Sequence, residues 1–152
     1  MKKAFLPAVA LLCLAACSKP ASSPDLKLND LEYFERQGVN VLVYSNAFSG
    51  GFNDEKNSGI EVIHHGVRTL QGGAVRLSNT PEQWDLVPEM TARNVNPADG
   101  SIEVGLRYPH YDFDSRVVVT AKGPAVQIDV YLDKPIPAEL EGDAGFNLEN
   151  LP

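Results

Sequence analysis

Cysteine is almost absent from this chain of 152 residues, and its two cysteines, Cys13 and Cys17, both lie near the N-terminus. The rest of the chain has no thiol, so it forms no disulfide and must be stabilised by a hydrophobic core. A cluster of Lys and Arg is also absent, and 13 basic side chains face 20 acidic ones, giving a formal net charge of −7. This balance argues against binding to nucleic acid, whose affinity comes mainly from phosphate neutralisation, and against a basic membrane-binding patch.

Long hydrophobic runs are absent as well. The segment from Ala4 to Leu14 (AFLPAVALLCL) is shorter than the roughly 18 apolar residues that span a bilayer. It follows Lys2 and Lys3, and a positive start before a short apolar run is typical of an export signal. We therefore predict that residues 1–16 are a signal peptide and that the exported body is not a transmembrane protein.

The end of this signal, Leu14-Ala15-Ala16-Cys17, resembles the lipobox of bacterial lipoproteins. That resemblance implies cleavage before Cys17 and transfer of a diacylglycerol to its thiol, which would anchor the protein in the cell envelope. Ser18 follows the cysteine, where Asp would favour inner-membrane retention, so the outer membrane is the expected location. The alternative is an ordinary secretory signal, cleaved after small residues, with Cys17 incidental.

Residues 17–30 (CSKPASSPDLKLND) are rich in Ser, Pro and Ala and have no periodicity, which predicts a flexible tether. Residues 31–152 are expected to form one domain. The 43% apolar content and the strong alternation of apolar residues argue against a disordered chain.

Strand signals dominate the domain, and no convincing amphipathic helix interrupts them. Apolar residues alternate in several short segments separated by turns, among them Gly72-Gly73, Asn96 to Gly100 and Lys122-Gly123-Pro124. The alternating residues are Val39, Val41, Val43, Ile60, Val62, Ile102, Val104, Leu106, Tyr108, Val126, Ile128, Val130 and Leu132. This pattern predicts an all-β, antiparallel β-sandwich of immunoglobulin-like type, with a small barrel as the alternative.

Few residues suggest chemistry, and each has a structural explanation that we favour. His64 and His65 are adjacent, so on a strand they would point to opposite faces, and a buried or hydrogen-bonded pair is favoured over a metal site. Asp112 and Asp114 would share one strand face, which favours a solvated sheet surface over an acid/base pair or a weak Ca²⁺ contact. The loop from Asn53 to Gly59 does not have EF-hand spacing, so a solvated turn is preferred.

Catalytic motifs are also missing. The sequence contains no G-x-S-x-G elbow, no glycine-rich phosphate loop and no H-E-x-x-H. We predict no catalytic residue, no cofactor and no metal ligand. Trp84, Tyr108 and Tyr111 could stack on sugar rings and are weak candidates for carbohydrate binding, although such aromatics more often serve the core of a small domain.

Three segments carry a resemblance to a known family: Gly50 to Asp85, Leu106 to Phe113 (LRYPHYDF) and Tyr131 to Pro152 (YLDKPIPAELEGDAGFNLENLP). They resemble the N-terminal immunoglobulin-like β-sandwich of bacterial glycoside hydrolases of family nine, the cellulase type. In such enzymes the chain continues into a helical catalytic domain that holds the catalytic Asp and Glu. The resemblance therefore implies a noncatalytic module, and no catalytic residue can be carried over to this sequence.

Phe146 and Leu148 alternate up to the end of the sequence, which makes them candidates for a domain interface. Together these features predict the noncatalytic module of a lipid-anchored glycoside hydrolase in a truncated chain. Its expected partners are the membrane, the catalytic domain and possible substrates such as β-glucan. Two alternatives remain: a stand-alone carbohydrate-binding surface lipoprotein, and a hydrolase that is active by itself.

Overall fold

A computed structural model describes residues 23–45, 59–77 and 88–152. The predicted signal peptide, Cys17 and Trp84 lie outside these residues. Within the described ranges, no helix has the length and apolar character needed to cross a membrane. The strands are β1 (Lys27–Leu28), β2 (Phe34–Arg36), β3 (Val39–Val43), β4 (Ile60–His64), β5 (Val67–Arg76), β6 (Glu89–Asn96), β7 (Ser101–Tyr108), β8 (Phe113–Lys122), β9 (Ala125–Leu132) and β10 (Gly145–Asn150). Two short 3₁₀ turns, Pro109–Tyr111 and Ala138–Leu140, complete the regular structure of this part of the chain.

The strands form two antiparallel sheets. The first sheet has the order β1-β2-β3-β4-β5-β10, and the second has the order β6-β7-β8-β9. Consecutive strands within each sheet pair antiparallel, and of the described strands only β10 joins one distant in sequence, pairing along β5 from Arg76 to Leu70. The all-β class predicted from the alternation is therefore confirmed.

One hydrophobic core lies between the two sheets, because alternate residues of the strands point inward. β7 shows this most clearly, since Ile102, Val104 and Leu106 are buried while the residues between them are partly exposed. The buried residues form a single cluster drawn from both sheets. It includes Phe34, Val39, Val41, Val43, Ile60 and Val75 from the first sheet, and Ile102, Val104, Leu106, Tyr108, Phe113, Val117 and Val119 from the second.

The strand order differs from that of immunoglobulin domains. In those domains, Greek-key connections place non-consecutive strands side by side in both sheets. Here the second sheet is a simple meander, and the first is a meander extended by β10. The described strands also form two separate ladders, not one closed barrel. The likeness to an immunoglobulin domain thus extends to the two-layer architecture and not to this order.

Two predicted turns are confirmed in the second sheet. The segment from Asn96 to Gly100 connects β6 to β7, and the Asn96 side-chain oxygen accepts hydrogen bonds from the amides of Ala98 and Asp99 at 3.1 and 3.3 Å. A further turn at Gly123 connects β8 to β9. Each turn leads into a strand, β7 or β9, whose apolar residues alternate strictly in the sequence, and this alternation located the turns well.

The turn predicted at Gly72-Gly73 is wrong. The chain reverses instead at His65-Gly66, where both residues have positive φ (49° and 82°), as a type I′ hairpin turn requires. Gly72 and Gly73 lie within β5, at a place where the neighbouring strands approach closely. A Cβ on Gly72 would lie 2.5 Å from the Asn147 carbonyl oxygen of β10. The glycines therefore allow β5 to pack between β4 and β10, and they do not end the strand.

The predicted boundary between tether and domain is also displaced. Leu26 is buried, and its amide donates to the Gly123 carbonyl at 2.8 Å. β1 then pairs with β2, so residues assigned to the tether belong to the fold. Leu31, the expected first residue of the domain, is 75% exposed. The sequence did not predict this because Leu26 and Leu28, which contact the core, are surrounded by polar residues typical of a tether.

Arg93 of β6 links the two sheets. Its Nε donates to the Val43 carbonyl of β3 at 2.9 Å, and its Nη2 donates to the Glu32 carbonyl at 2.8 Å. The Glu32 carboxylate accepts from Nη1 at 2.5 Å. The Arg93 side chain is only 15% exposed, whereas the Glu32 carboxylate is 56% exposed, and these contacts fix the middle of β6 against the first sheet.

Candidate functional site

Tyr108 lies in the core and is not a surface aromatic. It is 2% exposed and packs on Phe113, with the ring centroids 5.8 Å apart. Its hydroxyl faces Ser115 and the Val75 backbone without a well-aligned hydrogen bond, and burial raises the pKa of this phenol. Side chains alternate between the two faces of β7, and this alternation directs Tyr108 into the core. The suggestion that Tyr108 stacks on sugar is therefore wrong.

The other two predicted aromatics have different outcomes. Tyr111 ends the 3₁₀ turn Pro109–Tyr111, is partly buried against the core and contacts the His110 ring edge-on at a centroid distance of 4.9 Å. Its ring is therefore partly committed to packing. Trp84 lies outside the described residues, as does most of the polar loop that begins at Asn53.

His64 and His65 are both exposed, so of the two expected forms, a buried or a hydrogen-bonded pair, the buried one is not observed. His64 ends β4, whereas His65 lies in the turn, and their ring centroids are 4.4 Å apart. The His65 amide donates to the Gly38 carbonyl at 2.8 Å, and its ring covers Gly38 so closely that a Cβ there would lie 2.6 Å from the ring. His65 thus packs two neighbouring hairpin turns together. In residues 23–45, 59–77 and 88–152, no three His, Cys, Asp or Glu side chains are grouped to hold a metal ion.

Asp112 and Asp114 do not share a regular strand face as expected. Asp112 follows the 3₁₀ turn with a φ of 46°, and Asp114 lies in β8. Arg107 contacts both carboxylates, with Asp114 at 2.6 Å, and Lys134 lies 3.5 Å from Asp112. The Arg107 hydrogen bond, followed by the Lys134 charge, holds the pKa of Asp112 below its usual value. These are exposed ion pairs, and the lowered pKa of Asp112 is the opposite of the raised pKa that a general acid needs.

The two proposed interface residues also differ. Phe146 is partly buried and packs against the core, so its apolar surface is largely covered by this domain itself. Leu148 is 37% exposed on β10. Of the pair, Leu148 retains the surface that a neighbouring domain could cover.

A polar network holds β10 on the edge of the first sheet, with the Glu149 carboxylate at its centre. Asn147 donates to it at 3.0 Å, Arg76 at 3.2 Å and Gln71 at 3.5 Å. Asn147 and Gln71, together with the charge of Arg76, hold the pKa of Glu149 below its usual value. The network supplements the backbone ladder between β5 and β10, so it fixes the position of the last strand.

This network predicts a pH effect on β10. Because the folded-state pKa of Glu149 is lowered, its stabilising contribution is present above the unfolded-state pKa and is lost as pH falls through the folded-state value. We expect Glu149→Gln to destabilise the domain at pH 7 by less than about 1 kcal/mol, since the pair is partly exposed. The difference from the unmodified chain should shrink below about pH 4.

Denaturant unfolding at pH 7 and pH 3.5, together with amide exchange of β10, measures this effect. Glu141→Gln, which changes an exposed carboxylate in the segment before β10, is the matched control. An equal pH profile for the two variants would contradict the assigned role of Glu149.

The outer face of the second sheet carries an exposed aromatic residue, Tyr131, that was not among the predicted carbohydrate-binding candidates. Tyr131 is 47% exposed on β9, and the Arg116 guanidinium lies 4.1 Å from its ring centroid. Beside them is an open depression of about 330 Å³, lined by Asp114, Ser115, Arg116, Tyr131, Leu132 and Asp133. Alternation in β9 already placed Tyr131 with Gln127 and Asp129 on the polar face, and this was the signal available in the sequence.

Comparisons with known proteins identify no relative. No family model matches the chain, and no curated protein or solved structure matches it.

Proposed function

We propose that this chain is the noncatalytic β-sandwich module of a lipid-anchored glycoside hydrolase of the cellulase type. The module would hold a catalytic domain close to the outer membrane through the lipid on Cys17. The resemblance of residues 50–85, 106–113 and 131–152 to family-nine modules supports this proposal. An immunoglobulin-like classification belongs to the same proposal and rests on the two-layer architecture.

The structural observation that carries the proposal is the attachment of β10. This strand lies within the segment that resembles the exit toward the catalytic domain, and it pairs with β5 at six positions from Gly145 to Asn150. Glu149 adds side-chain bonds to Arg76 and Asn147 on the same strands. A strand fixed in this way can carry a following domain at a defined place on the sandwich, and Leu148 offers exposed apolar surface beside it.

The proposal requires that the chain itself has no hydrolytic activity. Asp112 and Asp114, the pair considered for acid/base chemistry, are both bound to Arg107. We therefore expect the purified chain to release no reducing sugar from β-glucan above the rate of a heat-unfolded sample. Turnover that persists through purification and is lost on replacing either carboxylate by Asn would establish the rival, a hydrolase active by itself.

A stand-alone carbohydrate-binding lipoprotein is the second candidate function. The burial of Tyr108 removes one of its three predicted contact residues, while the exposure of Tyr131 supplies another aromatic surface. Retention of the chain on insoluble cellulose or xylan that is lost in Trp84→Ala would favour the site first predicted. Retention that depends on Tyr131 would place binding on the second sheet.

A further inference from the structure

Strand β9 forms an edge of the second sheet, and in the described part of the chain it pairs only with β8. Just beyond β9, the Asp133 amide donates to the Asp114 carbonyl of β8 at 3.2 Å. Because backbone groups in an antiparallel ladder point alternately to either side, the odd-numbered residues of β9 bond to β8. The amides and carbonyls that point away from the sheet belong to Val126, Ile128, Val130 and Leu132.

The inward side chains of β9 are incompletely covered by this domain. Val126, Ile128 and Val130 pack against the core but remain partly exposed. Their cross-strand neighbours on β8, Val117 and Val119, are 0% exposed. The outer edge of β9 therefore combines backbone groups that bond to no described strand with accessible apolar surface, and both would be satisfied by an added strand.

Strand β9 lacks the features that usually protect an edge strand from pairing, which are bulges, short length, lysine and proline. The other described edges carry such features. β6 and β10 have an irregular register, between Met90 and Ala92 and between Asn147 and Leu148, and β1 has only two residues. β9 has eight residues in regular register, and its sequence AVQIDVYL contains no proline, glycine or lysine. Of these edges, β9 is the one best suited to accept another strand.

The sequence of β9 is complementary to itself in an antiparallel arrangement. When a two-fold axis passes through Ile128, this residue pairs with its own copy, and Val126 lies opposite Val130 of the second copy. These are the residues whose backbone groups point outward, so each pair can exchange two hydrogen bonds. On the outer face, Gln127 then lies opposite Asp129 of the second copy. Within one chain the Gln127 amide already donates to both Asp129 oxygens, at 2.9 and 2.8 Å, so the two side chains are matched as donor and acceptor.

We propose that the outer edge of β9 binds β9 of a second copy of this chain, so that the two four-stranded sheets join into one continuous antiparallel sheet. The axis lies at Ile128, because moving it by one residue to Asp129 would place two carboxylates directly opposite each other. In this register Tyr131, which is 47% exposed, lies opposite the small side chain of Ala125 of the second copy. This self-association is separate from the proposed function and does not depend on it.

Analytical ultracentrifugation of the purified chain over a range of concentrations tests the proposal. One strand pair is a small interface beside the roughly 1,200 to 2,000 Å² of standard complexes, so we expect a reversible monomer–dimer equilibrium in the micromolar range. Gln127→Glu sets a carboxylate opposite Asp129 of the second copy at two symmetric places and should weaken the dimer at least about fivefold. Adding Asp129→Lys to that variant places opposite charges there, and the dissociation constant should return to within about twofold of the original.

Thr120→Glu is the matched control, because Thr120 pairs with Gln127 from β8 and lies on the same outer face, one strand away from the edge. It adds the same charge and should leave the dissociation constant within about twofold, since salt screens the longer distance. Thermal unfolding of each variant checks that the fold is retained. Three results would overturn the proposal: a chain that stays monomeric at every concentration, a dimer that folded Gln127→Glu leaves unchanged, or equal weakening by Thr120→Glu.

Discussion

Replacing Cys17 by serine is expected to move the protein from the membrane fraction to the soluble fraction. The lipid proposed on this residue contributes about 0.8 kcal/mol for each buried CH₂, and two or more acyl chains give stable anchoring. No basic patch is present in the sequence to replace it. The change should therefore act almost as an all-or-none switch in the amount of membrane-bound protein.

Cys13→Ser is the matched control, because Cys13 lies in the apolar part of the predicted signal and would be removed with it. This variant should remain in the membrane fraction and incorporate labelled fatty acid as the unmodified chain does. Fractionation and labelling of the two variants in parallel give the readout. Membrane retention of Cys17→Ser, or labelling lost equally in both variants, would contradict lipidation at Cys17.

Replacing Phe113 by alanine is expected to have the largest effect on stability. Phe113 is fully buried, contacts the Tyr108 ring and lies where β7 pairs with β8. Loss of a buried Phe costs about 3 to 5 kcal/mol through lost burial and the cavity left behind. The free energy of unfolding of a small domain is only about 5 to 15 kcal/mol, so this substitution would remove a large part of it.

Val118→Ala is the control for Phe113→Ala, because Val118 lies on the same strand but faces outward. It should change the free energy of unfolding much less than Phe113→Ala does. Urea unfolding followed by circular dichroism measures both. Similar losses in the two variants would mean that the core does not lie between the sheets at Phe113.

The second sheet was largely predictable from the sequence, whereas the first was less so. Strict alternation in β7 and β9 identifies one buried face, and short turns with Gly and Pro fix the pairing of the neighbouring strands. In the first sheet, Gly72 and Gly73 suggested a turn because glycine is common in turns. Gly73 instead leaves room for Ile60 of β4, and Gly72 allows β10 to approach β5, which depends on residues about 75 positions later in the sequence.

The position of the candidate site was only partly available from the sequence. Residue type selected Tyr108 and Tyr111, but exposure depends on which sheet face a position occupies. Tyr108 occupies the inward face of β7 and lies in the core, whereas Tyr131 occupies the outward face of β9 and lies at the surface. The contact between Arg116 and Tyr131 further requires the register of β8 against β9, which residue type alone does not specify.

The DNA that follows the Pro152 codon in the source genome tests the central claim most directly. If the chain corresponds to the noncatalytic module of a lipid-anchored glycoside hydrolase, sequencing should find a continuation, in frame or after a frameshift, that encodes a helical catalytic domain. An intergenic region with no such coding sequence would contradict the account.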